Sequence, residues 1–256
     1  GDLKQLQPLL SPADNPNATV ETIIGNIESP PGTPLTVNQY NNSLIAASKT
    51  YKNIINHVLG DANMLPPSGG MAGVITVTDN EVGPWQAPAN TSMVGAASLP
   101  IKLSETQQGG LNVDAVSGKS INAIRFFNGL GILIWGARTL DGNSQDWRYL
   151  SVRRTMNFLE QSCKLAAQAY VFAPNDKNTW EAVKTMIGSF LTSIWKEGGL
   201  QGATAASAFS VECGLGATMT ADDILNGFMN VTIKVAVVRP AEFIVLTFQQ
   251  KQATSS

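Results

Sequence analysis

Apolar positions recur at intervals of three and four over residues 37–59. Val37, Tyr40, Leu44, Ala47, Tyr51, Ile54 and Val58 form one stripe. The spacing predicts an amphipathic helix, and Gly60 supplies its stop. Upstream, Pro8, Pro12, Pro16, Pro30, Pro31 and Pro34 exclude long helices and leave room for a short element near residues 20–27. Residues 65–73, LPPSGGMAG, read as a turn-rich loop, residues 74–78 as a short strand, and residues 79–103 as irregular.

Two apolar runs, residues 121–127 and 130–138, flank Asn128-Gly129. This is a hairpin signal, on the expectation that both turn residues take positive φ. Residues 147–152 read as a further strand or the lead-in to a helix. Two long helices follow. The first, residues 153–172, carries Met156, Leu159, Cys163, Ala166 and Tyr170 on one face, and Phe158 and Leu165 are expected to widen it. The second, residues 178–196, has an apolar stripe of Trp180, Val183, Ile187, Phe190 and Ile194. Its other side carries Glu181, Lys184, Gly188, Thr192 and Lys196. The last section reads as β. Residues 208–212 form a short strand. Over residues 228–238, Met229, Val231, Ile233, Val235 and Val237 alternate with Asn230, Thr232 and Lys234. A tight connection at residues 239–242 leads into a predicted final strand, residues 243–249. That strand is apolar on both faces, with Ile244, Leu246 and Phe248 on one and Phe243 and Val245 on the other. Such a terminal strand needs a cover, which points to a partner.

Composition narrows the function. The 256 residues hold only 14% charged side chains, and the formal net charge is −2, so there is no basic footprint for a nucleic acid. No window approaches the roughly 18 apolar residues of a membrane span. No basic segment followed by an apolar one marks a signal peptide at the start. The chain opens at Gly1 without Met, which reads as a cut or a cloning scar, so the natural protein is expected to extend upstream. His57 is the only imidazole. Cys163 and Cys213 lie too far apart in sequence for a metal-ligand pair; with no export signal they are expected to be buried free thiols, a single disulfide being the alternative.

The short motifs are incomplete. Ser117-Gly118-Lys119-Ser120 lacks the glycine that a phosphate-binding loop needs at position 113, which is Val, and reads as a turn. Gly129-Leu130-Gly131 and Gly214-Leu215-Gly216 lack the third glycine of a dinucleotide fingerprint. There is no Gly-x-Ser-x-Gly elbow. His57 is explained by its place near a helix C-terminus. Asp222-Asp223 after Thr220 reads as a helix N-terminus, not an acid/base couple. Arg148, Arg153 and Arg154 form a local basic cluster suited to salt bridges. No catalytic residue, cofactor or metal site is expected.

Nine stretches, in order over roughly residues 60–250, carry a resemblance. They are LPPSGGMAG (65–73), WQAPAN (85–90), LNVD (111–114), GKSINAIR (118–125), WGARTL (135–140), WRYLSVRR (147–154), FAPNDKNTW (172–180), GLG with MTADDIL (214–225) and AVVRPAEFI (236–244). Together they resemble the C-terminal portion of contractile tail sheath proteins of phages and phage-tail-like injection systems. Residues 1–35 carry no such resemblance, and the family's N-terminal part is not recognised.

The resemblance implies a mixed α/β (α+β) fold: a sheet flanked by helices, then a C-terminal domain of two long helices on a small sheet open to strand exchange. Residues 1–145 would be the last part of a middle domain with a Pro-rich start, and residues 146–256 the C-terminal domain. It implies a structural subunit, stacked in rings as a helical homo-oligomer around an inner tube protein and joined to baseplate or cap proteins. Contraction would drive the tube through a target envelope, with no nucleic acid and no membrane insertion by the subunit. Assembly would take place in the bacterial cytoplasm, before the subunit enters a phage tail or tail-like particle. Val231, Ile233 and Val235 would form a core strand, and Phe243, Ile244, Val245, Leu246 and Phe248 the exchanged edge. Lys184, Lys196 and Glu197 would face the tube. A static shell or baseplate component, and an α/β hydrolase, are the alternatives.

Overall fold

The computed structural model describes residues 18–28, 36–114 and 116–246. Contacts divide the chain into two compact units between Pro67 and Ser68. The second unit therefore runs through residues 145 and 146.

The first unit is helical: α1 (Ala18–Glu28), α2 (Val37–Ala47) and α3 (Lys49–Ala62). Ile24, Leu44 and Tyr51 form its core, with Ile27, Ile45 and Ile55 against them. The single helix expected over residues 37–59 is two helices. Ser48 leaves helical geometry at φ −126°, and its side chain accepts the Tyr51 N–H to start α3. It is fully buried, so the junction is packed as well as capped. Leu44 and Tyr51 still fall on one apolar face, which is why spacing alone did not reveal the break.

The second unit opens with α4 (Ser68–Glu81), where a loop and a strand were expected. Pro66 and Pro67 precede its first turn, a position where proline's fixed φ favours entry into a helix. The β-branched run that suggested a strand is accommodated because Thr76 and Thr78 donate their hydroxyls to the carbonyls of Ala72 and Val74, each at 2.9 Å.

After α4 comes a three-stranded antiparallel sheet. Its strands are β1 (Thr91–Ser92), β2 (Ala123–Phe127) and β3 (Gly131–Trp135), in the order β1-β3-β2, with α5 (Glu105–Gly109) between the first two in sequence. The β2–β3 hairpin pairs Phe127 with Gly131. Gly129 (φ +79°) and Gly131 (φ +83°) adopt the left-handed region, and Asn128 does not. The Leu130 N–H closes the turn on the Phe127 carbonyl at 3.2 Å. The hairpin was legible, but its conformation differs from the two-residue turn that the dipeptide suggests.

Two long helices carry the main core: α6 (Leu150–Ala167) and α7 (Lys177–Lys196), the latter started by Asp176, which accepts the Thr179 N–H. Val152, Thr155, Leu159 and Cys163 are buried on α6, and Val183, Ile187, Leu191 and Ile194 on α7. Trp85, Leu200 and Ala208 complete the cluster. Phe158 and Leu165, expected to widen the buried face of α6, are exposed; α6 is covered on one side. Gly83 has no room for a side chain, because a Cβ there would lie 2.4 Å from the Trp85 ring. A short α8 (Ala205–Ala208) leads into β4 (Phe209–Cys213). Then α9 (Ala221–Leu225) precedes β5 (Val231–Val235), which is antiparallel to β4. The architecture is mixed: helices packed with two small antiparallel sheets.

Candidate assembly surface

The β4–β5 sheet has two faces of different character. Register pairs Phe209 with Val235, Val211 with Ile233, and Cys213 with Val231. These side chains form one face, packed toward the cluster that holds Val183, Ile187 and Leu191 of α7. The other face carries Ser210, Glu212, Thr232 and Lys234, and Lys234 lies 3.8 Å from Glu212 in the open. Val231, Ile233 and Val235 therefore spend their side chains on the chain's own core. What they can offer a neighbour is the backbone edge.

Among the described residues the sheet has two strands and no third; beyond the end of β5, residues 199–201 pair with 236–238 through the Leu200–Val237 bridge, the Gln201 N–H donating to the Ala236 carbonyl at 2.7 Å. Two isolated strands form at best a marginal sheet in water. Here α7 covers one face, and a strand with no outer neighbour leaves backbone N–H and C=O groups along its margin for another strand.

The predicted final strand is not a strand among the described residues. Phe243, Ile244, Val245 and Leu246 belong to no sheet and are 69, 80, 88 and 72% exposed. Phe248 and the rest of that segment lie outside the described residues. The physical reason is the one its composition suggests: a segment apolar on both faces needs a covered edge, and none is supplied among the described residues.

The segment leaves the fold from a firm point. Arg138, just after β3, grips Glu242 in a two-pronged contact. Its Nε donates to Oε1 at 2.9 Å, and its Nη2 to Oε2 at 2.6 Å. The Arg138 side chain is 8% exposed and that of Glu242 22%. Arg239 lies 3.4 Å from Asp146 nearby. Both partners lie inside stretches of the sequence that carry the resemblance, WGARTL and AVVRPAEFI. The available signal was the lone charge of Arg138 at the end of the apolar run 130–138, since a charge drawn into an apolar setting requires a partner; Glu242, in a connection that also holds Arg239, gave no such signal.

The three side chains predicted to face a tube do not form one patch. Lys184 donates to Glu181 at 2.6 Å and is half-buried. Lys196 lines a shallow groove of about 560 Å³ with Thr185, Ser189, Thr192 and Phe209. Glu197 lies with Asp79, Trp85 and Arg154 around a different depression of about 650 Å³.

The basic cluster also divides. Arg154 pairs with Asp79 of α4, Arg153 stacks over Trp147 at 4.9 Å, and Arg148 over Tyr149 at 5.5 Å. The Ser117–Ser120 motif is a turn: the Asp114 carboxylate accepts the N–H groups of Val116 and Ser117, and Gly118 takes φ +68°. Thr220 and Asp223 cap α9 reciprocally. His57 is exposed, 3.6 Å from Asp61 one turn along α3. Cys163 and Cys213 are free and buried, and burial pushes both thiols above their ordinary pKa. Among the described residues there is no group of three or more potential metal ligands and no helix long and apolar enough to cross a membrane.

A sheet with no third strand among the described residues, in the same chain as an exposed apolar segment, is an arrangement that strand addition can use. Residues 143–251 match the model of the phage tail sheath C-terminal domain. A tail sheath protein of Vibrio phage KVP40 is 29% identical over 139 residues, covering 53% of this chain and 20% of that protein. Among solved structures, the sheath complex of the extracellular contractile injection system PVC in its contracted state is 42% identical, with a TM-score of 0.69 over 73% of this chain and 51% of that one. A chain of the anti-feeding prophage baseplate shows the same identity and coverage with a TM-score of 0.68. The helical sheath of that prophage in the contracted state gives 0.67, again at 42% identity over 73% of this chain and 51% of that one. The chain thus spans about half the length of these solved relatives.

Proposed function

We propose that the chain is the C-terminal part of a structural subunit of a contractile tail sheath, which polymerises around an inner tube and contracts to drive it through a target envelope. The observation that carries this reading is the open two-stranded β4–β5 sheet in the same chain as the unpaired apolar residues 243–246. The described sheet has no third strand, and residues 243–246 of a neighbour can give one. Backbone hydrogen bonds supply the strength of such an exchange, and they survive a change in packing around them because they do not depend on the rest of the interface.

The role is mechanical. The free energy of contraction is stored in the extended assembly and released as subunits pack more tightly. Within this reading, residues 1–145 are the end of a middle domain and residues 146–256 the C-terminal domain. Lys196 and Glu197, at the exposed end of α7, and Lys184, through its exchangeable pair with Glu181, contact the tube. Exposed ion pairs are each worth about 0–1 kcal/mol and are screened by salt, so a polar contact of this kind can be released in concert. Subunits assemble in the bacterial cytoplasm and act in a phage tail or tail-like particle, bound to baseplate or cap proteins. The likeness to a baseplate structure supports the second reading, a static subunit at the baseplate.

The test is negative-stain electron microscopy of the protein from its complete natural reading frame, mixed with its tube protein. Striated hollow cylinders that shorten on treatment with urea support the sheath. Cylinders or rings that never shorten support the static reading. A monomer at high concentration in the presence of tube overturns both.

A further inference from the structure

We infer that the Arg138–Glu242 pair is a tether that fixes where the C-terminal arm leaves the body, so that residues 243 onward reach a neighbour's sheet edge in a set register. This rests on the strand-exchange reading above.

Four observations converge on this one point. Arg138 binds both oxygens of Glu242 through Nε and Nη2, the geometry that fixes direction as well as distance. Arg138 is itself braced. The Asn122 side chain accepts its backbone N–H and donates to its carbonyl, each at 2.8 Å, and its Nη1 donates to the Asn112 carbonyl at 3.2 Å. The pair joins positions 104 residues apart in the chain, so the arm's root is tied to the β2–β3 hairpin and not only to β5. The border is also sharp: Glu242 is held, while the next four side chains are exposed.

A tether at this position has a physical consequence. A strand shifted by one residue turns every side chain to the other face. An arm apolar on both faces has little in its own sequence to choose a register, so its anchor must do so. A fixed root also raises the effective concentration of the arm at the edge it reaches, by removing conformations that point elsewhere. Arg138 and Glu242 are thus positioning residues, and load on the arm passes through them to the hairpin.

The test uses spin labels at Glu160→Cys, on the rigid α6, and at Val245→Cys, in the 256-residue chain. The two native thiols are buried and are left in place. The distance distribution between labels is expected to be narrow, and to broaden severalfold in Glu242→Gln and equally in Arg138→Gln. The double variant is expected to broaden no further, since all three lose one contact. Melting of each variant separates a freed arm from a damaged fold. A distribution that stays narrow in a folded Glu242→Gln chain overturns the tether.

Assembly of the complete protein is measured alongside. If deletion of residues 243–256 abolishes sheath formation and Glu242→Gln slows it, both readings stand. If the deletion abolishes it and Glu242→Gln changes neither assembly nor arm width, the tether falls and strand exchange stands. If the deletion leaves assembly intact, strand exchange falls, and the role of the tether in setting register falls with it, whatever the label widths show.

Discussion

Arg154 of α6 grips Asp79 in the last turn of α4, with the two guanidinium nitrogens Nη1 and Nη2 each donating to a separate carboxylate oxygen. The last turn of α4 holds Asp79 and Glu81 and no basic residue. Negative charge at a helix C-terminus opposes the dipole, so Arg154 offsets a cost that α4 carries in its own sequence. No residue of α4 is fully buried, and Met71, Val74, Ile75 and Thr78 are half-buried on one side, so this pair adds a polar anchor to a thin apolar contact.

Asp79→Ala is therefore expected to loosen α4 while leaving the α6–α7 core folded. Both side chains are about a quarter exposed, so the global cost is about 1 kcal/mol, the upper end for partly solvated pairs. Hydrogen exchange over residues 68–81 should accelerate well beyond the rest of the unit. Equal acceleration throughout would show that α4 is part of the cooperative core.

Leu191→Ala tests that core. Leu191 is fully buried among Val183, Ile187 and Ile194. Truncation in such a site costs about 2–5 kcal/mol, read as a lower urea midpoint with an unchanged slope. A cost below about 1 kcal/mol would mean that the site collapses around the smaller side chain.

These two sites show what the sequence displays and what it conceals. The stripe on α7 was legible because Val183, Ile187 and Ile194 repeat at the helical period and face one cluster. The alternation of Val231, Ile233 and Val235 was legible because one face of β5 is packed and the other open. By contrast, α4 only half-buries a short stripe, Met71, Val74, Ile75 and Thr78, and its glycines and β-branched residues argued for a loop and a strand. Ser48 was invisible for the opposite reason: the apolar face runs straight across the break. That β4 and β5 have no third strand among the described residues follows from how many strands the fold brings together, which no local pattern encodes. Arg138 and Glu242 are distant in sequence, and only folding brings them within reach.

The thiols give a simple check on burial. Desolvation raises the pKa of Cys163. It also raises that of Cys213, where the charge of Lys184 works in the opposite direction and Glu181 adds to the rise. The thiolate is the reactive form, so both should react slowly with a thiol reagent at pH 8 in the native chain and rapidly in denaturant. Lys184→Met should slow Cys213 further and leave Cys163 unchanged. Fast native reaction at either thiol would contradict the packing of α6 or β4.

Acid should loosen two turns before it unfolds the unit. The Asp223 carboxyl is held below its ordinary pKa by the Thr220 N–H and then by the Thr220 hydroxyl. Asp114 is lowered by the Ser117 N–H, the Ser117 side chain and the Val116 N–H. A carboxylate with a depressed folded pKa stabilises the fold above its unfolded value, near 3.8. That contribution is lost as pH falls through the lower folded value. The cap of α9 and the turn at residues 114–118 are thus intact at neutral pH and should release below about pH 4. Side-chain carbonyl shifts followed by NMR should show both midpoints below 3.8. Asp223→Asn should flatten the response at α9 alone. A midpoint at or above the ordinary value would mean that the caps do not form in solution.

The arm separates stability from assembly. Ile244 is 80% exposed and touches no core residue, so Ile244→Asp should leave the melting of the isolated chain unchanged. An exposed site away from packing usually shifts stability by less than about 0.5 kcal/mol. In the assembled protein the same position would enter a neighbour's sheet, where an unpaired carboxylate on a covered face is heavily penalised. Ile233→Asp places the same charge on the packed face of β5 and should lower stability in the isolated chain itself. The comparison is made by melting each chain alone and by imaging each complete protein with its tube. An arm that serves a neighbour predicts a stable Ile244→Asp chain that forms no sheath; an Ile244→Asp protein that forms normal cylinders would assign the interface to another surface.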